Sequence, residues 1–312
     1  MVVASWRRPE ALVRCLTALT KQTGAEDEIV AVVRADDAPT LAALQKLRER
    51  ADRPGIRLVH PSRPGLVAAL DAGFQASVGA IVCFTDDDAV PRSEWLPRIR
   101  RRFEQEPGIG AVGGRDWNHV DGHTDAGSAA RVGELSWFGR IVGNHHLGMG
   151  DPRDVQILKG ANMSSRREAL REVGFDPSLR GTGSQAHNEV GLCLQLRRRG
   201  WRIVYDPEVA VDHYLAPRPG DARAAFAERA DRDVADAAHN LLYGLLVGLR
   251  GPRRAVAIAF QLLVGSREDP GPVLCLERIV RGREGRAALR RARAALGGRL
   301  AALGSYLKRG RA

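Results

Sequence analysis

The chain has 312 residues, 44% of them hydrophobic and 27% charged, which is the composition of a globular protein and excludes a disordered or collagen-like one. Its length suits one catalytic-sized domain with an appendage. Residues 278–312 carry +10 of the formal net charge of +11, so a nearly neutral body is joined to a basic tail.

Short apolar runs alternate with helical patterns over the first third of the chain. The predicted strands are 2–5, 28–34, 56–60 and 80–84, and the predicted helices between them are 9–22, 40–48 and 65–76. The run EIVAVVR is β-branched and almost continuous, as is typical of a strand buried on both faces. This alternation predicts an α/β fold, with a mostly parallel, Rossmann-like sheet flanked by helices and right-handed crossovers.

A polar cluster follows each of the four predicted strands. The clusters are 5–7, Asp36–Asp37, Arg63 and Asp86–Asp88. In open α/β sheets, ligands bind outside the carboxyl ends of the strands, so we expect the four clusters to line one crevice.

The three consecutive aspartates, Asp86 to Asp88, end a strand that reads as buried. Neighbouring carboxylates repel one another, so we expect a cation or donors from a substrate to neutralise them. Asp86 and Asp88 bracket one residue, and oxygen ligands at this spacing suit Mg²⁺ or Mn²⁺, which in turn can hold a diphosphate. Simple solvated acids at a strand end are the alternative.

The middle third is less regular. The glycine-rich segments 108–117 and 139–150 indicate close backbone approaches or mobile loops. Helices are predicted near 166–173 and over 189–200, and two short strands are predicted within 201–214.

From about residue 220 the composition changes to helices rich in alanine, arginine and leucine. The apolar stretch 240–265 is interrupted at 250–254, which leaves apolar halves of nine and ten residues. A membrane-spanning helix needs about 20 residues, so two packed helices, or a hairpin that dips into one leaflet, fit better than a span.

The last segment has the pattern of a basic amphipathic helix. Its apolar residues recur every three or four positions and are Leu289, Ala292, Leu296, Leu300, Leu303 and Leu307. The arginines placed between them are Arg290, Arg291, Arg293 and Arg299.

The order of these motifs resembles that of an inverting glycosyltransferase of family 2 with a GT-A fold, in which a nucleotide-sugar-binding α/β domain runs into an acceptor-binding half. Five segments carry the resemblance: VVASWRRPEALVRCLTAL, AVVRADDAPT, RPGLVAALDAGFQASVGAIVCFTDDDAVPRSEWL, KGANMSSRREALREVGFD and HNEVGLCLQLRRRGWRIVYDPEVAVDH. The resemblance implies a transferase domain over 1–218, with the nucleotide sugar bound by about 1–110 and the acceptor by 111–218. Residues 219–312 would then form a helical extension that carries the basic tail.

The resemblance also implies roles on the nucleotide side of the site. Asp36 or Asp37 would contact the base or ribose, and Ser5 and Arg7 would lie nearby. Arg63 would lie close to the nucleotide. The alternatives are turn chemistry for the two acids and a surface position for the arginine.

The metal and sugar positions follow in the same way. Asp86 would reach the ribose or the metal, Asp88 would bind the metal that bridges the diphosphate, and His213 would complete the metal site. A purely structural histidine is the alternative. The residues that would line the sugar and acceptor sites are Arg115, Asp116 and Asn162.

Glu189 matches the catalytic base of the family, the carboxylate that removes the proton of the acceptor hydroxyl. A capping role at the start of a helix is the alternative. Three positions depart from the usual pattern: Asn188 replaces an acid, Asp71 an asparagine and Leu70 an arginine. These departures bear on the identity of the donor more than on the reaction.

The sequence therefore predicts a metal-dependent inverting glycosyltransferase that uses a UDP-linked sugar and a hydroxyl acceptor, such as a lipid-linked or cell-envelope glycan. One alternative is a sugar-phosphate nucleotidyltransferase, although SWRRPE lacks the glycines of a phosphate loop. The other is a nucleic-acid-binding protein that uses the basic tail. That tail has a single aromatic residue, Tyr306, so we expect no nucleic-acid partner.

The location follows from the ends of the chain and from its four cysteines. MVVASWRRPE has too short an apolar run for a signal peptide, and the scattered cysteines, without metal-ligand spacing, indicate buried thiols in a reducing compartment. We expect a cytoplasmic protein whose residues 278–312 make peripheral contact with an anionic membrane. A solvated helix or a subunit contact is the alternative for the tail, and the oligomeric state stays open.

Overall fold

The computed structural model describes residues 1–50, 55–120, 122–214, 230–282 and 285–310. The chain divides into two compact units. The first unit comprises Met1–Glu134, Val142–Phe175 and Leu196–Ala216, and the second comprises Leu135–Ile141, Asp176–Gln195 and Pro217–Ala312. The domain boundary predicted between 218 and 219 lies outside the described residues.

Strands and helices alternate over the first part of the chain, as predicted. The strands are β1 (Val2–Ser5), β2 (Val30–Val33), β3 (Arg57–Val59), β4 (Ile81–Asp86), β5 (Ala89–Pro91), β6 (Ile109–Val120), β7 (His123–Thr124), β8 (Glu134–Leu135), β9 (Ile141–Val142), β10 (Arg153–Asp154), β11 (Asn162–Arg166) and β12 (Arg202–Tyr214). The helices are α1 (Pro9–Thr20), α2 (Ala38–Arg50), α3 (Leu66–Ala76), α4 (Trp95–Gln105), α5 (Arg167–Val173), α6 (Asn188–Arg198), α7 (Asp231–Gly248), α8 (Gly251–Leu263), α9 (Pro272–Val280) and α10 (Gly285–Arg309).

The first unit is built on a mixed, mostly parallel sheet with the strand order β10-β12-β6-β11-β4-β1-β2-β3. Strand β1 lies parallel to both β2 and β4, and β2 lies parallel to β3. Strand β11 is antiparallel to its neighbours β4 and β6, whereas β6 and β12 are parallel to each other. The predicted α/β class with a mostly parallel sheet flanked by helices is confirmed.

Alternation along the buried strands explains how helices cover both faces of the sheet. Val3 belongs to a core cluster that also contains Leu12 and Leu16 of α1. Its neighbour Val2 points to the other face and packs so closely on α3 that a Cβ atom at Gly73 would collide with the Val2 side chain. Because successive side chains in a strand point to opposite faces, the continuous apolar run of β1 serves both layers.

Strand β6 corrects one expectation from the sequence. The segment 108–117 reads as a source of close approaches or mobile loops, but 109–120 is one long strand that is buried over its first eight residues. Its glycines are explained by close approaches alone: a Cβ at Gly114 would collide with the carbonyl group of Val209 in the neighbouring strand. Glycine in a strand interior often marks such a contact between backbones.

Two further elements differ from the sequence-based expectations. Residues 202–214 form one strand rather than two, with a register shift between Asp206 and Val211. Helix α4, which the sequence reasoning missed, buries Trp95, Ile99 and Phe103.

The second unit contains the C-terminal helices. Helix α7 is buried along most of its length, and α8 begins after a break at 249–250, so the predicted interruption is confirmed. Helix α10 packs against α7 through Ala295 and Ala302. Within the described residues, no helix combines the length and the apolar character needed to cross a membrane.

Candidate active site

Asp86 and Asp88 approach His213 at the carboxyl end of β4. One ligand atom of each residue lies within 4.8 Å of those of the other two. Asp88 and His213 are fully buried, Asp86 is half-buried, and His213 Nε2 lies 3.1 Å from Asp88 Oδ1. Two carboxylates and an imidazole are donors that suit Mn²⁺ or Mg²⁺. The residues present therefore fit the divalent cation that the sequence predicts.

The backbone brings His213 to this position. Strand β12 pairs with the short strand β5 so that His213 is opposite Ala89, directly after the three aspartates. The N–H of Tyr214 donates a hydrogen bond to the carbonyl oxygen of Asp88 at 2.8 Å. We call Asp86, Asp88 and His213 the metal-type cluster. Its geometry is fixed by sheet pairing between segments 125 residues apart.

Arg8 neutralises two of the three aspartates, a role that the sequence reasoning missed. Its guanidinium forms ion pairs with both Asp87 and Asp88, and its Nη1 lies 2.7 Å from Asp88 Oδ2. The hydroxyl of Ser5 also donates a hydrogen bond to Asp87, at 2.7 Å. The expectation that an added cation or a substrate alone offsets the repulsion is therefore corrected, because the chain supplies a buried cation of its own.

Asp116 and Lys159 extend the cluster. Lys159 Nζ lies 2.7 Å from Asp116 Oδ2, an ion pair without hydrogen-bond geometry, and 3.4 Å from His213 Nδ1. Burial tends to raise the pKa of Asp116, but the charges of Lys159 and His213 outweigh it and hold that pKa below its ordinary value. Asp116 Oδ1 is buried and has no hydrogen-bond partner among the described residues. This oxygen can therefore accept a hydrogen bond from a bound ligand. Lys159 carries no pattern that sequence reasoning could have used.

The loops after β1 and β2 are joined through Asp37. Its carboxylate accepts hydrogen bonds from the backbone N–H of Arg7 and, at 3.3 Å, from the N–H of Thr40 in the first turn of α2. Asp37 is buried and acts as a helix cap, so the turn-chemistry alternative describes it well. Arg7 is exposed and holds a left-handed backbone with φ of 56°.

Asp36 and Arg63 are exposed at the same edge of the sheet. Asp36 pairs with Arg34, at 2.6 Å between Nη2 and Oδ2, and hydrogen bonds from Arg34 hold the pKa of Asp36 below its ordinary value. Arg63 follows β3, the outermost strand on this side of the sheet. Both side chains are therefore positioned where solvent or a nucleotide can reach them.

Arg115 and Asn162 have structural roles that differ from the predicted contacts with sugar or acceptor. The Arg115 guanidinium is buried and donates hydrogen bonds to the carbonyl oxygens of His146, Gly148 and Gly127. The Asn162 amide accepts a hydrogen bond from Trp95 Nε1 at 2.9 Å and donates one to the carbonyl oxygen of Val209 at 2.8 Å. Both residues hold loops and strands together, and their contact with the sugar or acceptor stays a prediction.

Glu189 belongs to the second unit, where it lies half-buried in the first turn of α6. The turn before it has left-handed backbone at Gln185 and His187, with φ of 46° and 66°. Asn188, which replaces the acid expected there, donates its amide N–H to the carbonyl oxygen of Gln185 at 3.1 Å. An acid could not make this bond as a donor, so the substitution stabilises a strained turn directly before Glu189.

A mostly parallel sheet with a carboxylate–imidazole cluster at its carboxyl edge defines the GT-A class of glycosyltransferase. The family model described as "Glycosyltransferase like family 2" matches residues 1–234, so the chain belongs to that family. This result confirms the resemblance that its motifs indicate.

The chain is also similar to individual proteins. It is 28% identical over 162 residues to a glucosyl-dolichyl phosphate glucuronosyltransferase of Haloferax volcanii, an alignment that covers 48% of each chain. This chain thus spans about half the length of that relative.

Solved structures of low sequence identity share the fold. The mannosyltransferase PcManGT from Pyrobaculum calidifontis, in complex with GDP-Man and Mn²⁺, aligns with a TM-score of 0.55 at 16% identity and covers 96% of this chain and 85% of its own. S. aureus TarS 1–349 in complex with UDP-GlcNAc aligns with a TM-score of 0.56 at 15% identity and covers 84% of this chain and 70% of its own.

Proposed function

We propose that the chain transfers a sugar from a nucleoside diphosphate donor to a hydroxyl acceptor. The proposed donor is a UDP-linked sugar, and the reaction inverts the configuration at the anomeric carbon. The observation that carries the proposal is the buried cluster of Asp86, Asp88 and His213 in a chain of the glycosyltransferase family. TarS, a structural neighbour, is described in complex with a UDP-linked sugar.

The metal-type cluster and its neighbours would act on the diphosphate. A divalent cation bound by Asp86, Asp88 and His213 would offset the negative charge of the departing nucleoside diphosphate. Lys159 places its ammonium beside His213, where it can donate hydrogen bonds to phosphate oxygens, and Asp116 holds it there through their ion pair. Arg8 holds Asp88 from the other side.

The nucleoside would lie along the loops that follow β1, β2 and β3. Asp36 and Arg63 are the exposed polar groups that can contact the base or ribose. Ser5 and Asp37 act through the protein, because Ser5 fixes Asp87 and Asp37 fixes the backbone of Arg7. We also propose that about residues 1–110 bind the nucleotide sugar and that residues 111–218 bind the acceptor.

Glu189 is the proposed base. Inversion by a single displacement requires a carboxylate that accepts the proton of the acceptor hydroxyl as its oxygen attacks the anomeric carbon. The position of Glu189 in the first turn of a helix favours its anionic form, which is the form that a base needs.

The acceptor is proposed to be a lipid-linked glycan or another cell-envelope glycan. The support is the similarity to the relative from Haloferax volcanii, a glucosyl-dolichyl phosphate glucuronosyltransferase. Transfer to an organic-extractable lipid, followed by determination of the new anomeric configuration by NMR, tests the acceptor and the inversion separately.

Calorimetry with a donor panel tests the proposed site. UDP-glucose, UDP-N-acetylglucosamine, UDP-glucuronate and GDP-mannose are titrated into the protein with and without Mn²⁺, and we expect one of them to bind in a Mn²⁺-dependent way. Asp88→Asn should weaken that binding by more than about tenfold, because a metal ligand is lost. The control is Asp151→Asn, which neutralises an exposed acid of the same unit. If folded wild-type protein releases no heat with any donor, the proposed site is wrong.

A further inference from the structure

Helix α10 leaves a row of its leucines exposed to solvent. Leu289, Leu300 and Leu307 are 55%, 55% and 67% exposed. They are 11 and 7 residues apart, so they lie on one face of the helix and span about 27 Å. We call these three residues the α10 row.

Small residues make the packing face of α10 instead. Ala288, Ala295 and Ala302 are fully buried, and Gly298 meets the backbone of Ala235 in α7. Arg291 and Arg299, which the pattern places on the basic face, are also buried, and Arg299 donates to the carbonyl oxygen of Pro270. The leucines are therefore not needed to attach α10 to α7.

Helix α9 has an exposed apolar face of its own. Val273, Leu276 and Val280 are 53%, 62% and 78% exposed, at spacings of three and four residues, and Cys275 is buried on another face. We call these three residues the α9 row. Exposed apolar groups of this extent usually mark a surface that binds a partner or a membrane.

Basic side chains flank the α10 row. Arg286 and Arg293 lie within one turn of Leu289, Lys308 follows Leu307, and all three are exposed. Residues 278–312 carry ten arginines and one lysine against one acid. The partner must therefore offer apolar volume next to negative charge.

We propose that the α9 and α10 rows dock on an anionic lipid bilayer, with the leucines among the acyl chains and the arginines at the headgroups. This arrangement is that of an interfacial helix, which lies in the membrane plane and does not span it. A second copy of the same surface would bring arginine against arginine. A nucleic acid would meet the arginines but would leave the aliphatic rows without a partner. The proposal concerns where the enzyme works and does not depend on the donor or the acceptor.

Co-sedimentation of the full chain with vesicles tests the proposal. The vesicles contain either phosphatidylcholine alone or phosphatidylcholine with about 30% phosphatidylglycerol, which gives the membrane a negative surface. We expect the wild type to bind the anionic vesicles at least tenfold more tightly than the neutral ones. We expect the variant Leu289→Gln/Leu300→Gln/Leu307→Gln to bind the anionic vesicles at least tenfold more weakly than the wild type does. The control is Val78→Gln, which changes an 80% exposed apolar residue of the first unit and should leave binding unchanged.

A second pair of variants tests the charge. Arg286→Gln/Arg293→Gln should weaken binding to anionic vesicles several-fold and reduce its dependence on salt, whereas Arg101→Gln on α4 should not. Circular dichroism shows that each variant is folded. The vesicle experiment contains no nucleotide sugar, so its result stands whatever donor calorimetry shows.

Three results would overturn the proposal. The first is equal vesicle binding by wild type and the triple leucine variant. The second is a wild-type dimer in light scattering that the triple variant dissociates, without vesicle binding by either protein. The third is a nucleic-acid gel shift that the same variant abolishes while vesicle binding is absent.

Discussion

Arg8 shows how a run of three aspartates is accommodated in a fold. Two of the carboxylates, those of Asp87 and Asp88, are buried, and two adjacent buried anions would be very costly without a cation. Arg8 forms an ion pair with each of them and is itself only 8% exposed. The geometry of Asp88 is therefore set by the protein, which is the kind of preorganisation that a binding site needs.

Removal of this cation should destabilise the fold. We expect Arg8→Gln to lower the free energy of unfolding by about 3–5 kcal/mol, because two buried carboxylates lose their partner. The neighbouring variant Arg7→Gln should change it by less than about 0.5 kcal/mol, since that side chain is exposed. Urea denaturation measures both. Equal losses in the two variants would contradict the role assigned to Arg8.

Glu189 gives a prediction about chemistry rather than stability. Glu189→Gln should leave donor binding in calorimetry unchanged and reduce the rate of transfer by about 10²–10⁴, the usual contribution of a general base. Glu168→Gln is the matched control, because Glu168 is an acid in the first turn of another helix, α5. Transfer at the wild-type rate by Glu189→Gln would show that another group accepts the proton.

The ends of the predicted strands indicate where the acidic residues lie, but they do not indicate which arginine forms ion pairs with them. Arg7 and Arg8 are adjacent and chemically identical, yet Arg8 is buried against the aspartates whereas Arg7 is exposed. Asn162 and Arg115 are predicted as ligand contacts from motif position, and the structure adds tertiary hydrogen bonds to Trp95 and to loop carbonyls that the motif does not indicate. Such pairings depend on residues tens of positions away, which no local pattern records.

Helix α10 shows the same limit at the scale of an element. Its periodicity correctly predicts a helix, but the residues that pack in the structure are its alanines and glycines. Helix α7 approaches so closely at Gly298 that only small side chains fit on the contact side. The spacing of leucines therefore identified an apolar face but not the neighbour that it meets. The strands of the sheet were easier to predict, because a continuous apolar run fits burial on both faces whatever its neighbours.

Two adjacent glycines of α10 should respond in opposite directions to the same substitution. A Cβ at Gly298 would collide with the carbonyl group of Ala235, so Gly298→Ala should destabilise the protein by about 1–3 kcal/mol. A Cβ at Gly297 meets nothing within 4 Å, so Gly297→Ala should stabilise it by up to about 1 kcal/mol through helix propensity. Thermal and urea unfolding measure the two changes. A stabilising Gly298→Ala would show that α7 and α10 are not in close contact.

At the scale of the whole molecule, the charge and the thiols are distributed differently. Positive charge is concentrated in residues 278–312, whereas the cysteines are spread over both units. All four cysteines are free and buried, as the sequence predicts. Burial raises the pKa of Cys15, with a further contribution from Asp86 and Asp88, and burial also raises the pKa of Cys83.

The thiols should therefore be inert in the native protein. We expect less than one equivalent to react with Ellman's reagent within minutes, and four in denaturant, because reaction requires an accessible thiolate. Glutathione under the same conditions provides the reference rate. Rapid reaction of one native thiol would show that the unit containing it opens locally.

The ion site also has a consequence for how the chain acquires its shape. Arg8 and His213 lie 80 and 125 positions from Asp88, so the cluster joins the loop after β1 to the C-terminal end of β12. Contacts of such long range close late, after the entropy of the intervening loops has been lost. A partly folded chain lacks the complete cluster, so we predict that Mn²⁺ stabilises the folded protein without accelerating its folding.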